Sequence, residues 1–272
     1  MNARVLQLPA AGRLLVCTDI QGNLRDFSRM IEIFDQEGPD AHLVFTGDLV
    51  HGPDPETEER WPSFLGTPYR DASPEVIEAF LAARDRAPGR VHALLGNHEH
   101  AHIGGPVVAK FYPDEAAALE DRLDADGVER LRETFRAFPL VAVAPCGVVL
   151  LHAAPSAPVE GPDTLRDLDL SGYDDLRFPE FVRVPVLGPL LWSRMATDAQ
   201  AERFVQAFGA ELAIYGHDIV REGYAADGPR MLCLSTSFGV QDPLKTYVSL
   251  DLSARYTSTA DLRPDHELLP LW

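Results

Sequence analysis

A chain of 272 residues, 46% of them apolar, is long for one average domain and short for two, which favours a single large α/β domain. Its formal charge of -18 opposes binding to nucleic-acid polymers or anionic lipid, which need clustered Lys and Arg. Phosphorylated substrates stay open, because a bound divalent cation reverses the field inside a pocket. No run approaches the roughly eighteen apolar residues of a membrane span. The N-terminal MNARVLQLPAAGRLLV has no compact apolar block with a cleavage site, so a cytoplasmic chain without a membrane partner is expected. Cys17, Cys146 and Cys233 sit in or beside apolar runs and read as buried thiols of a reducing compartment.

In chain order, LLVCT (Leu14 to Thr18) reads as a buried strand and ends at Asp19. RDFSRMIEIFDQ (Arg25 to Gln36) has helical apolar spacing, and HLVFT (His42 to Thr46) is a second strand that ends at Gly47-Asp48. His51 to Pro74 is rich in Pro and acids and reads as a long loop, of a length that is often functional. Its Trp61, Phe64 and Tyr69 suit a lid over substrate or anchors to the body equally well. A helix follows over Pro74 to Asp85, then the strand VHALL (Val91 to Leu95), which ends at Gly96-Asn97-His98. After a helix over Asp126 to Phe138, GVVLL (Gly147 to Leu151) ends at His152. A Pro/Asp-rich stretch runs from Pro155 to Pro189, and LAIY (Leu212 to Tyr215) ends at Gly216-His217.

Five times, an apolar strand stops at a residue able to bind a metal. Singly, each has a plainer reading: Asp as a turn former or helix cap, His as a structural residue. Sites in open α/β sheets form outside the carboxyl ends of strands, however, so these residues should converge. Two Asp, one Asn and two His offer oxygen and nitrogen donors without a thiolate, a set suited to Mn, Fe, Zn or Mg rather than to a structural zinc.

The blocks DIQGN (Asp19 to Asn23), GDLVHGP (Gly47 to Pro53), GNHE (Gly96 to Glu99), HAAPS (His152 to Ser156) and GHD (Gly216 to Asp218) resemble the ordered motifs of calcineurin-like metallophosphoesterases. Those motifs are written D-x-H, G-D-x-x-D/R, G-N-H-E/D, H and G-H. FYPDE (Phe111 to Glu115), FRAFPLVAV (Phe135 to Val143), LLWS (Leu190 to Ser193), GHDIVREGY (Gly216 to Tyr224), MLCLSTSFG (Met231 to Gly239) and YVSLDL (Tyr247 to Leu252) are most similar to its phosphoprotein phosphatase branch. That branch includes serine/threonine phosphatases and bacterial diadenosine tetraphosphatases. The resemblance covers about residues 13–252 and implies a four-layer αββα sandwich, two mixed sheets flanked by helices, with a metal site at the strand ends. It implies one domain over 1–272, with an inserted loop at about 51–74 and a polar tail, holding His266, at about 253–272.

It also implies hydrolysis of phosphate monoesters, in the manner of a protein Ser/Thr phosphatase, with two divalent ions. Mn is expected first and Fe, Zn or Mg as alternatives; between them the ions would hold the attacking hydroxide. By resemblance Asp48 bridges the ions, Asp19 and Gln21 serve the first, Asn97, His152 and His217 complete the second, and His98 is the general acid. The phosphorylated partner is a phosphoprotein or a small phosphoester.

Three departures bear on this. Gln21 stands where the family has a metal-binding His, and its harder, weaker amide oxygen leaves the first site weak, altered or empty. His51 stands where an Asp commonly orients the catalytic His, so His98 needs another carboxylate, such as Asp54, unless His51 is itself a replacement ligand. The Arg that usually follows as a phosphate clamp is absent, with Arg194 the first candidate substitute and Arg25 the second. His100 and His102 are expected to line the cleft, and His42 and His92 to pack within strands. Two rivals remain: a hydrolase of dinucleoside polyphosphates or cyclic nucleotides, and a non-catalytic phosphate sensor with a degenerate first site. A pure binding module would not need the proton donor His98.

Overall fold

Successive side chains of a strand point to opposite faces, so runs that are apolar at every position need both faces covered. The computed structural model, which describes residues 3–53 and 61–272, meets that need with two stacked sheets between helices. The strands are β1 (Val5–Gln7), β2 (Arg13–Cys17), β3 (Ala41–Phe45), β4 (Val91–Ala93), β5 (Val141–Ala144), β6 (Val148–Leu151), β7 (Leu212–Tyr215), β8 (Tyr224–Ala226), β9 (Met231–Leu234), β10 (Thr246–Asp251) and β11 (Leu268–Pro270). The helices are α1 (Leu24–Glu37), α2 (Ser73–Arg86), α3 (Asn97–Ala101), α4 (Glu115–Glu120), α5 (Ala125–Arg136), α6 (Phe178–Phe181), α7 (Leu187–Trp192) and α8 (Asp198–Ala207).

One sheet runs β11-β10-β2-β3-β4, with β2, β3 and β4 parallel and β10 antiparallel to its neighbours. The other runs β1-β5-β6-β7-β9-β8, with a parallel centre at β6, β7 and β9. Alternate residues divide between two cores. Leu14, Val16 and Val44 meet Val148, Leu150, Leu212 and Ile214 between the sheets. Leu15, Cys17 and Phe45 face outward under Phe27 of α1 and Phe80 of α2, with Phe27 stacked on Phe45 at 5.1 Å. Burying each such ring contributes about 1.5–3 kcal/mol. The three helices read from apolar spacing lie within a residue or two of α1, α2 and α5.

The stretch read as a polar tail returns to the sheet: β11 pairs with β10, Val248 opposite Leu268, and Leu271 is fully buried. A buried ion pair lies beside it, Lys245 Nζ at 2.6 Å from Asp26 Oδ2. Asp26 also accepts from Asn23 Nδ2 (2.7 Å), Ser237 Oγ (2.6 Å) and Trp272 Nε1 (3.0 Å), which fixes the turn at residues 19–23 against the loop before β10. Losing one partner of such a pair costs about 3–5 kcal/mol, because the other stays buried and charged. Cys17, Cys146 and Cys233 are free and buried, and among the described residues no helix is long and apolar enough to cross a membrane.

Candidate metal centre

The strand ends converge through tight, strained turns. Asp19, Gln21, Asp48 and His217 all have positive φ (48°, 43°, 54° and 68°), a conformation that costs a non-glycine residue about 1–3 kcal/mol. Glycines let the turns touch: a Cβ on Gly96 would lie 2.2 Å from Asp48 Oδ1, and one on Gly216 would lie 2.3 Å from Asp19 Oδ2. Glu99, fully buried, ties two turns together by accepting from the backbone N–H groups of Asp48 (2.9 Å), Leu49 (2.7 Å) and Gly96 (3.0 Å). That explains the acidic residue that closes GNHE.

The Asp48 side has the donor set for a divalent ion. His152 Nδ1–H donates to the Thr46 carbonyl at 3.1 Å, so Nε2 carries the lone pair. That nitrogen lies 2.9 Å from Asn97 Oδ1, 3.1 Å from His217 Nδ1 and 3.6 Å from Asp48 Oδ1. Burial lowers the His152 imidazole to about 4 and holds His217 well below its usual value, so both rings are neutral, the form that ligates metals. Burial raises the Asp48 carboxyl well above the usual range, and the charge of Asp19 adds to it, a cost that a bound cation would offset. The four residues therefore fit such an ion.

The Asp19 side differs. Asp19 Oδ2 accepts the backbone N–H of His217 at 3.0 Å, and burial raises this carboxyl as well. Gln21 Oε1 accepts from the Lys110 ammonium at 3.3 Å. Burial pushes Lys110 down to about 8, against the pull of Asp48 and Asp19.

A second group of close donors surrounds the expected acid: atoms of His51, His98 and Glu115 lie within 4.8 Å of one another. His98 Nε2 is 3.8 Å from Asp48 Oδ2, while Nδ1 is 3.1 Å from Glu115 Oε2. Glu115 Oε1 is fixed by the backbone N–H groups of Lys110 (2.7 Å) and Phe111 (2.6 Å). Burial opposes ionisation of Glu115, but bonds from His98 and the Phe111 N–H outweigh it and hold the group well below the usual carboxylate range. Burial lowers His98, and Glu115 opposes that shift. Behind them, Arg132 donates to both oxygens of Glu120 (2.9 and 2.6 Å), which accepts His102 Nδ1–H at 2.9 Å. His102 Nε2 then accepts from His51 Nε2–H at 2.8 Å, leaving a lone pair on His51 Nδ1, 3.1 Å from His98 Nδ1. The His98 Nδ1–H thus faces two acceptors, and Nε2 faces the metal donors.

The carboxylate beside His98 is therefore Glu115; Asp54 lies outside the described residues. Sequence reading took FYPDE only as a likeness and missed the partner within it. Asp114 caps α4 by accepting from the Ala117 N–H at 3.0 Å, which places Glu115 at the first helical position, buried. His102 is part of this chain rather than a cleft-lining residue, whereas buried His100 bonds the Leu170 carbonyl at 2.8 Å and packs on Phe181. His42 and His92 stack on neighbouring strands at 6.4 Å. Arg194 lies at the rim, donating to the His217 carbonyl (3.4 Å) and to Asp218 (2.7 Å). Arg25 is stacked 3.8 Å over the Trp272 ring and paired with Asp242. Trp61 and Tyr69 are anchors: their rings are 5.2 Å apart, and Tyr69 donates to the Gln21 carbonyl at 2.9 Å. Phe64 is 57% exposed.

The family model for calcineurin-like phosphoesterases matches residues 12–221, and the chain belongs to that family of phosphoester hydrolases. A serine/threonine-protein phosphatase of Caenorhabditis elegans is 25% identical over 224 residues, covering 78% of this chain and 44% of the relative. The chain thus spans less than half the length of that relative. Among solved structures, a serine/threonine phosphatase of Saccharomyces cerevisiae aligns with TM-score 0.62 at 16% identity, covering 91% of this chain and 76% of the other. A cold-active protein-tyrosine phosphatase of Shewanella aligns with TM-score 0.55 at 17% identity, covering 92% and 78%. At these identities the structural likeness establishes the fold.

Proposed function

We propose that the chain is a metal-dependent phosphomonoesterase of the protein Ser/Thr phosphatase type, acting in the cytoplasm with Mn as its preferred ion. The observation that carries this reading is an imidazole, His98, held by the buried Glu115 carboxylate beside four residues that can ligate a divalent ion. A bound ion supplies Lewis-acid contact to the phosphoryl group and lowers the pKa of water. Asp48, Asn97, His152 and His217 hold it. His98 delivers the Nε2 proton to the leaving oxygen, and Glu115 stabilises the imidazolium before transfer. Arg194, at the rim, exchanges Asp218 for the phosphoryl oxygens. The curated phosphatase relative supports a phosphoprotein substrate over a nucleotide, and the Glu115–His98 pair argues against a mere phosphate sensor, which needs no proton donor.

The test is hydrolysis of p-nitrophenyl phosphate, a phosphoserine peptide and a dinucleoside tetraphosphate before and after chelation. Chelation should abolish turnover, Mn should restore it best, and the phosphopeptide should outpace the nucleotide. Full activity after exhaustive chelation would remove the metal-dependent reading; a faster nucleotide would replace the substrate class.

A further inference from the structure

No motif anticipates Lys110, which reaches the centre beside Gln21. Its ammonium has three N–H donors and no lone pair, yet it faces Gln21 Oε1 at 3.3 Å, the oxygen expected to serve a first metal ion. The ammonium takes one of the two lone-pair directions of that oxygen, and its charge repels a cation approaching the other. The side chain is held in place: Nζ lies 3.8 Å from the centroid of the Phe238 ring, within cation–π range, and the Lys110 N–H is bonded to Glu115 at 2.7 Å. Phe238 is buried, and its own N–H donates to the Asp19 carbonyl at 3.0 Å, so the platform under the ammonium is tied to the turn that carries Asp19 and Gln21. Asp19 and Asp48 are both buried around this point. One divalent ion and the ammonium together balance the three buried carboxylates Asp19, Asp48 and Glu115, so no second divalent ion is needed to neutralise the site.

The donors on this side therefore do not fit a second ion in the way the Asp48 set fits the first. We propose that Lys110 takes the place of the first metal: the chain works with one divalent ion, and the Lys110 ammonium binds the phosphoryl oxygens that a second ion would hold. This rests on the phosphatase reading. It accounts together for two separate departures, the Gln at position 21 and the missing arginine clamp after His51.

Calorimetric titration of chelator-treated protein with Mn, followed by titration of the loaded protein with inorganic phosphate, tests it without turnover. The wild type should take up one ion, and the double variant Gln21→His/Lys110→Met should take up two. Lys110→Met alone should weaken phosphate binding about 10–100-fold, the range for a lost hydrogen bond to a charged group. Two tightly bound ions in the wild type would overturn the proposal, and so would unchanged phosphate affinity in Lys110→Met. Should that variant fail to fold, the wild-type stoichiometry still decides. One bound ion with tight phosphate but no hydrolysis of any ester would instead sink the phosphatase reading and leave this one standing.

Discussion

The two halves of the centre share Asp48 but are built differently. On one side Asn97, His152 and His217 each follow a strand of a parallel sheet region, and the Asn97, His217 and Asp48 donor atoms lie 2.9–3.6 Å from His152 Nε2. On the other, Asp19 follows β2 and Gln21 lies in the turn after it, while Lys110 and Glu115 come from the irregular segment between α3 and α4 and the start of α4. A framework of parallel strands fixes where its ends fall, so ligands there follow from pattern. A segment without a ladder places its side chains by tertiary contacts alone. On the proposed reading the strand ends hold the metal and carry His98, and the irregular segment supplies the groups that orient His98 and meet the phosphate.

The comparison is best broken at its shared member. Asp48→Asn should remove measurable hydrolysis and lower bound metal to near zero, as read by elemental analysis after dialysis. Retained metal would mean that Asn97, His152 and His217 suffice. The next largest effect is expected at the acid: His98→Asn should slow an alkyl phosphate about 10²–10⁴-fold. On p-nitrophenyl phosphate, whose leaving group needs little protonation, the loss should be much smaller, and metal content should not change. Equal losses on both esters would reassign His98 to the metal, with His51 and Glu115 as its companions.

Glu115→Gln sharpens the division further. It should cost about 10–100-fold, the range for a group that orients a functional imidazole, with the same dependence on leaving group as His98→Asn and no loss of bound metal. If the metal were lost instead, the second donor group would be an ion site. The smallest effect is expected at the rim, where Arg194 is half exposed and already paired with Asp218. Arg194→Ala should raise KM several-fold, about 1 kcal/mol, and leave kcat nearly unchanged. A large fall in kcat would mean that Arg194 holds the phosphoryl oxygens more tightly in the transition state than in the bound substrate.

How far the sequence reached follows the same line. The strands ending at Asp19, Asp48, Asn97, His152 and His217 were legible, because an apolar run that stops at a polar residue marks both a buried strand and its carboxyl end. The helices α1, α2 and α5 were legible from apolar spacing, whereas the part Glu99 plays in tying two turns together emerged only from the fold. The partner of His98 was not. Position 115 is as far from 98 along the chain as many surface residues are, and only the folding back of residues 102–114 brings Glu115 within 3.1 Å of the imidazole. The same return carries Lys110 to Gln21 and completes the run from Arg132 through Glu120, His102 and His51. The C-terminal stretch read as a tail for a like reason: one short strand, Leu268–Pro270, is too brief to show a period, and its pairing with β10 is a long-range contact. Local pattern marked the residues proposed to hold the metal. Which charges stand opposite them was decided by segments with no repeat, whose positions depend on the packing of the whole chain.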